Sequence, residues 1–199
     1  AGTANSAVKV GYVSVDGGAT TWVNIPGDAR EHYIPRMEFI PGCNELFIQQ
    51  MNRPQNTNKV WTVKIGETEP NNIFTDTDAA WLETNDNIHW LKNNQYFTWE
   101  SERSGYRHLY RVSRDGKEII PITKCDFDFI REVGMDVKKG LVYFIASPDN
   151  FTQRYLYEAK LFGKGVSKAL CSFVKRRMLN KLANTDIINL FAVIGNIVG

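Results

Sequence analysis

The sequence predicts an all-β chain: a partial β-propeller of four-stranded antiparallel blades, about three and a half of them, with a helical C-terminal tail. Two observations carry the propeller. Short runs of alternating apolar and polar residues are separated by turns rich in Gly, Asn and Asp, as antiparallel strands require. Aromatic residues recur at Tyr12, Trp61, Tyr110 and Tyr157, spaced by 49, 49 and 47 residues. Three of them follow an aliphatic residue, in Val60-Trp61, Leu109-Tyr110 and Leu156-Tyr157. A period of about 50 in a strand-rich chain marks propeller blades, which bury their faces only against neighbouring copies. A generic antiparallel sandwich is the competing architecture, and it does not require this shared register.

The elements follow in order. The chain is expected to open halfway through a blade, with 8–15 in the register of 60–63, a turn at Asp16-Gly17-Gly18, and a strand over 21–25. The first full unit has strands over 33–39, 45–50, 60–65 and 72–75, the last short and suited to an outer edge. Leu46 and Ile48 share a face, and the polar run 52–58 reads as a loop. The second unit has strands over 89–91, 96–99, 108–112 and 119–122. Asp115-Gly116 is a hairpin signal in which both central positions favour positive φ. Pro121 suits an edge, since it cannot donate a ladder hydrogen bond. The third unit has strands over 130–136, 141–147 and 155–159, with a turn near Gly163.

The domain division is 1–165 for the partial propeller and 166–199 for the tail, whose origin is open. Apolar residues at 170, 173, 174, 178 and 182 have helical spacing. Asn184-Thr185-Asp186 offers a cap for a second helix over 187–194, too short for a membrane span. The tail reads as a helix docked on the sheets or as a segment foreign to a propeller.

Composition bounds the function. A chain of 199 residues, 43% hydrophobic, has material for one domain core. A net charge of +2 makes no case for nucleic acid, and a membrane partner is not expected. Residues 1–6 are small and polar, unlike a signal peptide. Cys43, Cys125 and Cys171 lie far apart without a CxxC pair, so they read as small hydrophobes rather than disulfide or zinc partners. Asn150-Phe151-Thr152 fits the N-glycosylation pattern. No nucleophile elbow, zinc-helix motif or phosphate loop occurs, and no catalytic residue, metal site or cofactor is expected. His32, His89 and His108 read as packing or loop residues. Glu100 and Glu102 read as solvated or paired with Arg103 and Arg107. The best binding candidate is the polar loop with Glu83, Asn85 and Asp86, because propellers bind with loops near their channel; a turn stabilised by Asx side chains is the alternative.

The run Trp99-Glu-Ser-Glu-Arg-Ser-Gly-Tyr-Arg-His-Leu-Tyr-Arg-Val112 strongly resembles the propeller of the dipeptidyl peptidase IV family. Ala1-Gly-Thr-Ala-Asn-Ser-Ala-Val-Lys-Val10, Met51-Asn-Arg-Pro-Gln-Asn56 and Ala80-Trp81-Leu82 agree in the same order, so the resemblance covers roughly residues 1–165. The family consists of serine exopeptidases that remove dipeptides from peptide N-termini, preferring Pro or Ala in second place. Its eight-bladed propeller covers a C-terminal α/β-hydrolase domain that holds the Ser-Asp-His triad. The family's glutamate pair for the substrate amine belongs to an earlier part of the propeller, so Glu100 and Glu102 do not stand for it.

The segment after Trp81 is similar in place to a family stretch near the substrate pocket. The resemblance therefore implies Trp81, Glu83, Asn85 and Asp86 as a pocket rim. It also implies a hydrolase domain and a peptide substrate as partners, and an exported location: periplasmic, cell-envelope or extracellular. This chain alone is expected to be inactive. Unpaired sheet edges lead to the expectation of a homo-oligomer. The alternative function is a non-catalytic, propeller-like interaction module.

Overall fold

A computed structural model describes residues 2–148, 152–163 and 166–168. Among them there are strands and turns but no helix. The first sheet pairs β1 (Gly11–Tyr12) with β2 (Thr21–Trp22). The second runs β3 (His32–Phe39), β4 (Glu45–Asn52), β5 (Thr57–Lys64) and β6 (Asn71–Thr77). The third runs β7 (Trp90–Leu91), β8 (Tyr96–Ser101), β9 (His108–Ser113) and β10 (Ile119–Pro121). The fourth runs β11 (Arg131–Asp136), β12 (Leu141–Ala146), β13 (Tyr155–Lys160) and β14 (Val166–Lys168). Each sheet is a meander in chain order, the pattern of propeller blades. Half a blade plus three is therefore what forms.

The aromatic markers occupy equivalent strands. Trp61, Tyr110 and Tyr157 lie on β5, β9 and β13, the third strand of each four-stranded sheet. Trp61 sits opposite Ile48 of the second strand, and Tyr157 opposite Phe144. Tyr12 lies on β1, which places β1 and β2 in the role of third and fourth strands.

Several boundaries differ from the sequence expectation, each for a local reason. Asn52 closes β4 because its side-chain Oδ1 accepts from the N–H groups of Asn56 and Thr57, both at 3.0 Å. The loop shrinks to 53–56, and β5 starts at Thr57. The outer strand β6 is not short: it spans seven residues, with a bulge at Ile73 that buries both Ile73 and Phe74. Pro35 lies inside β3, at a register shift between Tyr33 and Arg36, where its missing N–H breaks no ladder bond. At the β9–β10 hairpin only Gly116 has positive φ, at 72°, and its N–H donates to Ser113 O over 2.8 Å. This is a turn closed by a left-handed glycine, not one with two positive φ values. Residues 166–168, assigned above to the tail, form β14 and pair with β13, so the last blade runs past 165. The helices expected over 169–199 lie outside the described residues, as do Cys171 and Asn150.

The chain divides into two compact units, the first formed by residues 1–105 and 109–120, the second by 106–108 with 121 onward. In the first unit, the period of two along β4 sends alternate side chains to opposite faces. Leu46 and Ile48 join Trp61, Val63, Val10 and Val23 in a core against the first sheet. Phe47 points the other way, into a core with Val60, Phe74, Phe97, Trp99 and Tyr110 of the second and third sheets. Its rings meet edge to face: Phe47 and Phe97 lie 5.3 Å apart, Phe74 and Trp99 5.0 Å apart. In the second unit, Phe129, Phe144 and Tyr157 stack in a row at 5.4 and 5.7 Å.

Gly116 and Gly42 share a left-handed backbone, with φ of 72° and 66°. A Cβ on Gly116 would fall on the carbonyl of Ile73, whereas one on Gly42 would meet open space. Gly42→Ala should cost about 1–2 kcal/mol from backbone strain alone. Gly116→Ala should cost clearly more, on the order of 3 kcal/mol, because the β6 bulge must also move. Equilibrium urea unfolding of the two variants checks the order.

Candidate functional site

The candidate rim is a loop stitched down at every second or third residue. Asp78 N–H donates to Asn56 O over 3.0 Å, and Leu82 N–H to Gln55 O over 2.8 Å. The Asp78 carboxylate accepts from the N–H groups of Ala80 and Trp81 at 2.7 and 3.3 Å. Leu82 is buried, while Trp81, Glu83 and Asp86 are exposed. The indole N–H of Trp81 reaches Glu83 Oε1 over 3.2 Å.

Asn85 does not join them. It is buried, and its side chain faces the protein. Its Nδ2 donates to Glu100 O over 3.1 Å, and its Oδ1 accepts from Glu100 N–H over 2.6 Å. One amide thereby imitates a neighbouring strand along β8, beyond the short reach of β7. Gln49, fully buried on β4, does the same to the backbone of Asn85: Nε2 donates to its carbonyl over 2.7 Å, and Oε1 accepts its N–H over 3.3 Å. Asn58 Nδ2 also donates to that Oε1, over 3.0 Å. Two amides in series thus tie the second sheet, the rim loop and the third sheet together.

Beside this relay lies an ion pair that sequence reasoning missed. Asp76 on β6 is 2% exposed. Its Oδ2 accepts the indole N–H of Trp99 over 2.8 Å, and its Oδ1 accepts Arg103 Nη2 over 2.7 Å. The Arg103 guanidinium also lies 5.9 Å from the Phe74 ring and 5.6 Å from the Tyr110 ring. Arg103 is therefore not a partner for Glu100 or Glu102. Asp76 sits in Thr75-Asp76-Thr77-Asp78, which reads as turn composition; only alternation along β6 could have placed it inward.

His32 and His108 are buried. Gln50 Nε2 donates to His32 Nδ1 over 3.1 Å, so the His32 proton sits on Nε2, 3.3 Å from Val8 O. Gln50 Oε1 accepts the indole N–H of Trp61 over 2.9 Å. His32 and Gln50 line a polar cleft of about 190 Å³ together with Asp28, Asn52 and Lys59. His108 is buried in the second unit, and burial holds its pKa below the usual 6.5 against the opposing pull of Asp128 and Asp126. Burial pushes the Cys125 thiol up to about 11, so it stays protonated and unreactive at neutral pH. Cys43 is half-buried, and its sulfur accepts from Asn94 and Arg114, each at 3.5 Å. Among the described residues no three His, Cys, Asp or Glu side chains converge as metal ligands would.

Successive four-stranded meanders with a pinned loop between the second and third define the class: part of a β-propeller. The chain belongs to the dipeptidyl peptidase IV family, since the model of that family's N-terminal region matches residues 1–180. A probable dipeptidyl peptidase 4 of Emericella nidulans is 30% identical over 124 residues, covering 57% of this chain and 16% of the relative. That of Aspergillus fumigatus is 26% identical over 161 residues, covering 77% of this chain and 21% of the relative. The crystal structure of Porphyromonas gingivalis dipeptidyl peptidase 4 superposes with a TM-score of 0.69 at 26% identity, over 84% of this chain and 24% of that one. The chain thus spans about a sixth to a quarter of the length of these relatives.

Asn85→Ala should cost about 1–3 kcal/mol, because it leaves Glu100 N–H and C=O without their partner. It should also speed hydrogen exchange of the amides over 82–86. Asp86→Ala, on the exposed side of the same loop, should stay within about 0.5 kcal/mol and leave exchange unchanged. Urea unfolding with exchange mass spectrometry reads both.

The lowered pKa of His108 fixes a sign. The folded state favours neutral imidazole, so the unfolded chain binds the proton first as pH falls. Stability from this group is complete above 6.5 and is lost as pH drops from there through the lower folded value. Unfolding midpoints measured from pH 8 to pH 5 should fall, and His108→Gln should flatten that part of the profile.

Proposed function

We propose that this chain is the propeller part of a dipeptidyl peptidase IV-like serine exopeptidase, an enzyme that removes dipeptides from peptide N-termini. In this reading the chain carries no catalytic triad. It shapes and gates the cavity through which peptides reach a triad held by an α/β-hydrolase domain. The observation that carries the reading is the family match over residues 1–180, joined to a rim loop that is rigidly held yet exposes Trp81, Glu83 and Asp86. A fixed, exposed loop lowers the ordering entropy lost when a peptide docks. The outer edge of β6 offers unpaired backbone groups, and in this reading such edges draw copies of the chain into a homo-oligomer.

One preparation tests both parts. The purified chain should leave Gly-Pro-p-nitroanilide intact, while the dipeptidyl peptidase that contains it turns the substrate over. Turnover by the chain alone at about 1 s⁻¹ or faster would refute the division of labour. Light scattering on the same sample should give a mass above one chain, and a monomer at high concentration would remove the oligomer.

A further inference from the structure

We propose that Trp81 and Glu83 form a subsite for a cationic side chain, Lys or Arg, of the docked peptide; this rests on the peptide-facing reading above. The indole N–H donates to Glu83 Oε1, which fixes a carboxylate at the ring edge. Trp81 is 53% exposed although its neighbour Leu82 is buried. The position is imposed from both sides: Asp78 holds the backbone before it, and the Gln49–Asn85–Glu100 relay holds the backbone after it.

Elsewhere in this molecule such groups take their own cations. Arg53 lies 4.4 Å from the Tyr33 ring, and Arg111 5.2 Å from the Tyr96 ring. Asp76 takes Arg103, and Glu45 takes Arg114. Among the described residues, no cation lies over Trp81 and none pairs with Glu83 or Asp86. The sequence explains why: residues 65–91 include Glu67, Glu69, Asp76, Asp78, Glu83 and Asp86 but no Lys or Arg. Tryptophan offers the strongest ring face for a cation, and a carboxylate at its edge adds Coulomb attraction. An aromatic face and a carboxylate, preorganised against each other and left without a cationic partner in a negative segment, fit an ammonium or guanidinium from outside.

The test uses the full 199-residue chain labelled with ¹⁵N. The indole N–H resonance of Trp81 is assigned with Trp81→Phe and followed while Gly-Pro-Lys-Ala or Gly-Pro-Glu-Ala is added. The Lys peptide should shift that resonance to saturation with an affinity about three- to tenfold above that of the Glu peptide. Added salt should narrow the difference, and Glu83→Gln, an exposed substitution that leaves the fold intact, should abolish most of it. Equal shifts and affinities for the two peptides would overturn the subsite, as would a Glu83→Gln chain that keeps the preference. Failure here is separable from failure of the broader reading. An enzyme that cleaves the Gly-Pro substrate but shows no Lys preference at Trp81 loses only the subsite, whereas one with no cleavage loses the function.

Discussion

The carboxylate of Asp76 decides how the second and third sheets lock. A charge 2% exposed is tolerable only if its lone pairs are met, and here an indole N–H and a guanidinium meet them. Both partners come from one short stretch, Trp99 within β8 and Arg103 in the loop after it. The Trp-x-Ser-x-Arg pattern that stands out in the sequence is thus the receiving half of a contact between blades. Remove the carboxylate and Trp99 loses its partner while the arginine loses its reason to fold back over Phe74 and Tyr110. The aromatic core of Phe74, Phe97, Trp99 and Tyr110 packs at the same interface.

Next to the ion pair, neutral amides do comparable work. Gln49 and Asn85 each present a side-chain amide to a backbone peptide, a donor to its carbonyl and an acceptor to its N–H. In this way the N–H and C=O of Asn85, in a loop outside any strand, find both partners in one side chain. The loop is therefore held from its buried side and exposed on the other. Trp81, Glu83 and Asp86 are exposed, while Asn85 is buried and its amide holds the backbone of Glu100.

Much of the fold could be read directly. Trp61, Tyr110 and Tyr157 fall on the third strand of successive sheets because each repeat solves the same burial problem at the same distance along the chain. Boundaries were harder. Asn52 and Thr57 have loop composition but join the ladder, since one Asn side chain closes the turn between them. β6 looked too polar to be long, yet its bulge turns Ile73 and Phe74 inward together. The rim was legible only in part: a Trp, a Glu and an Asp in a polar loop were visible, but their exposure was not.

Local pattern and period were enough to determine strand order and blade count among the described residues, because these depend on residues near one another in the chain. What the tertiary structure decided was partnership. Arg103 faces Glu100 and Glu102 along the chain, but it pairs with Asp76, 27 positions away, and Asn85 turns from candidate contact to internal brace. Such choices follow from which groups lose water when two sheets close, and a buried charge or amide takes the partner that geometry brings within reach, whatever its distance in sequence.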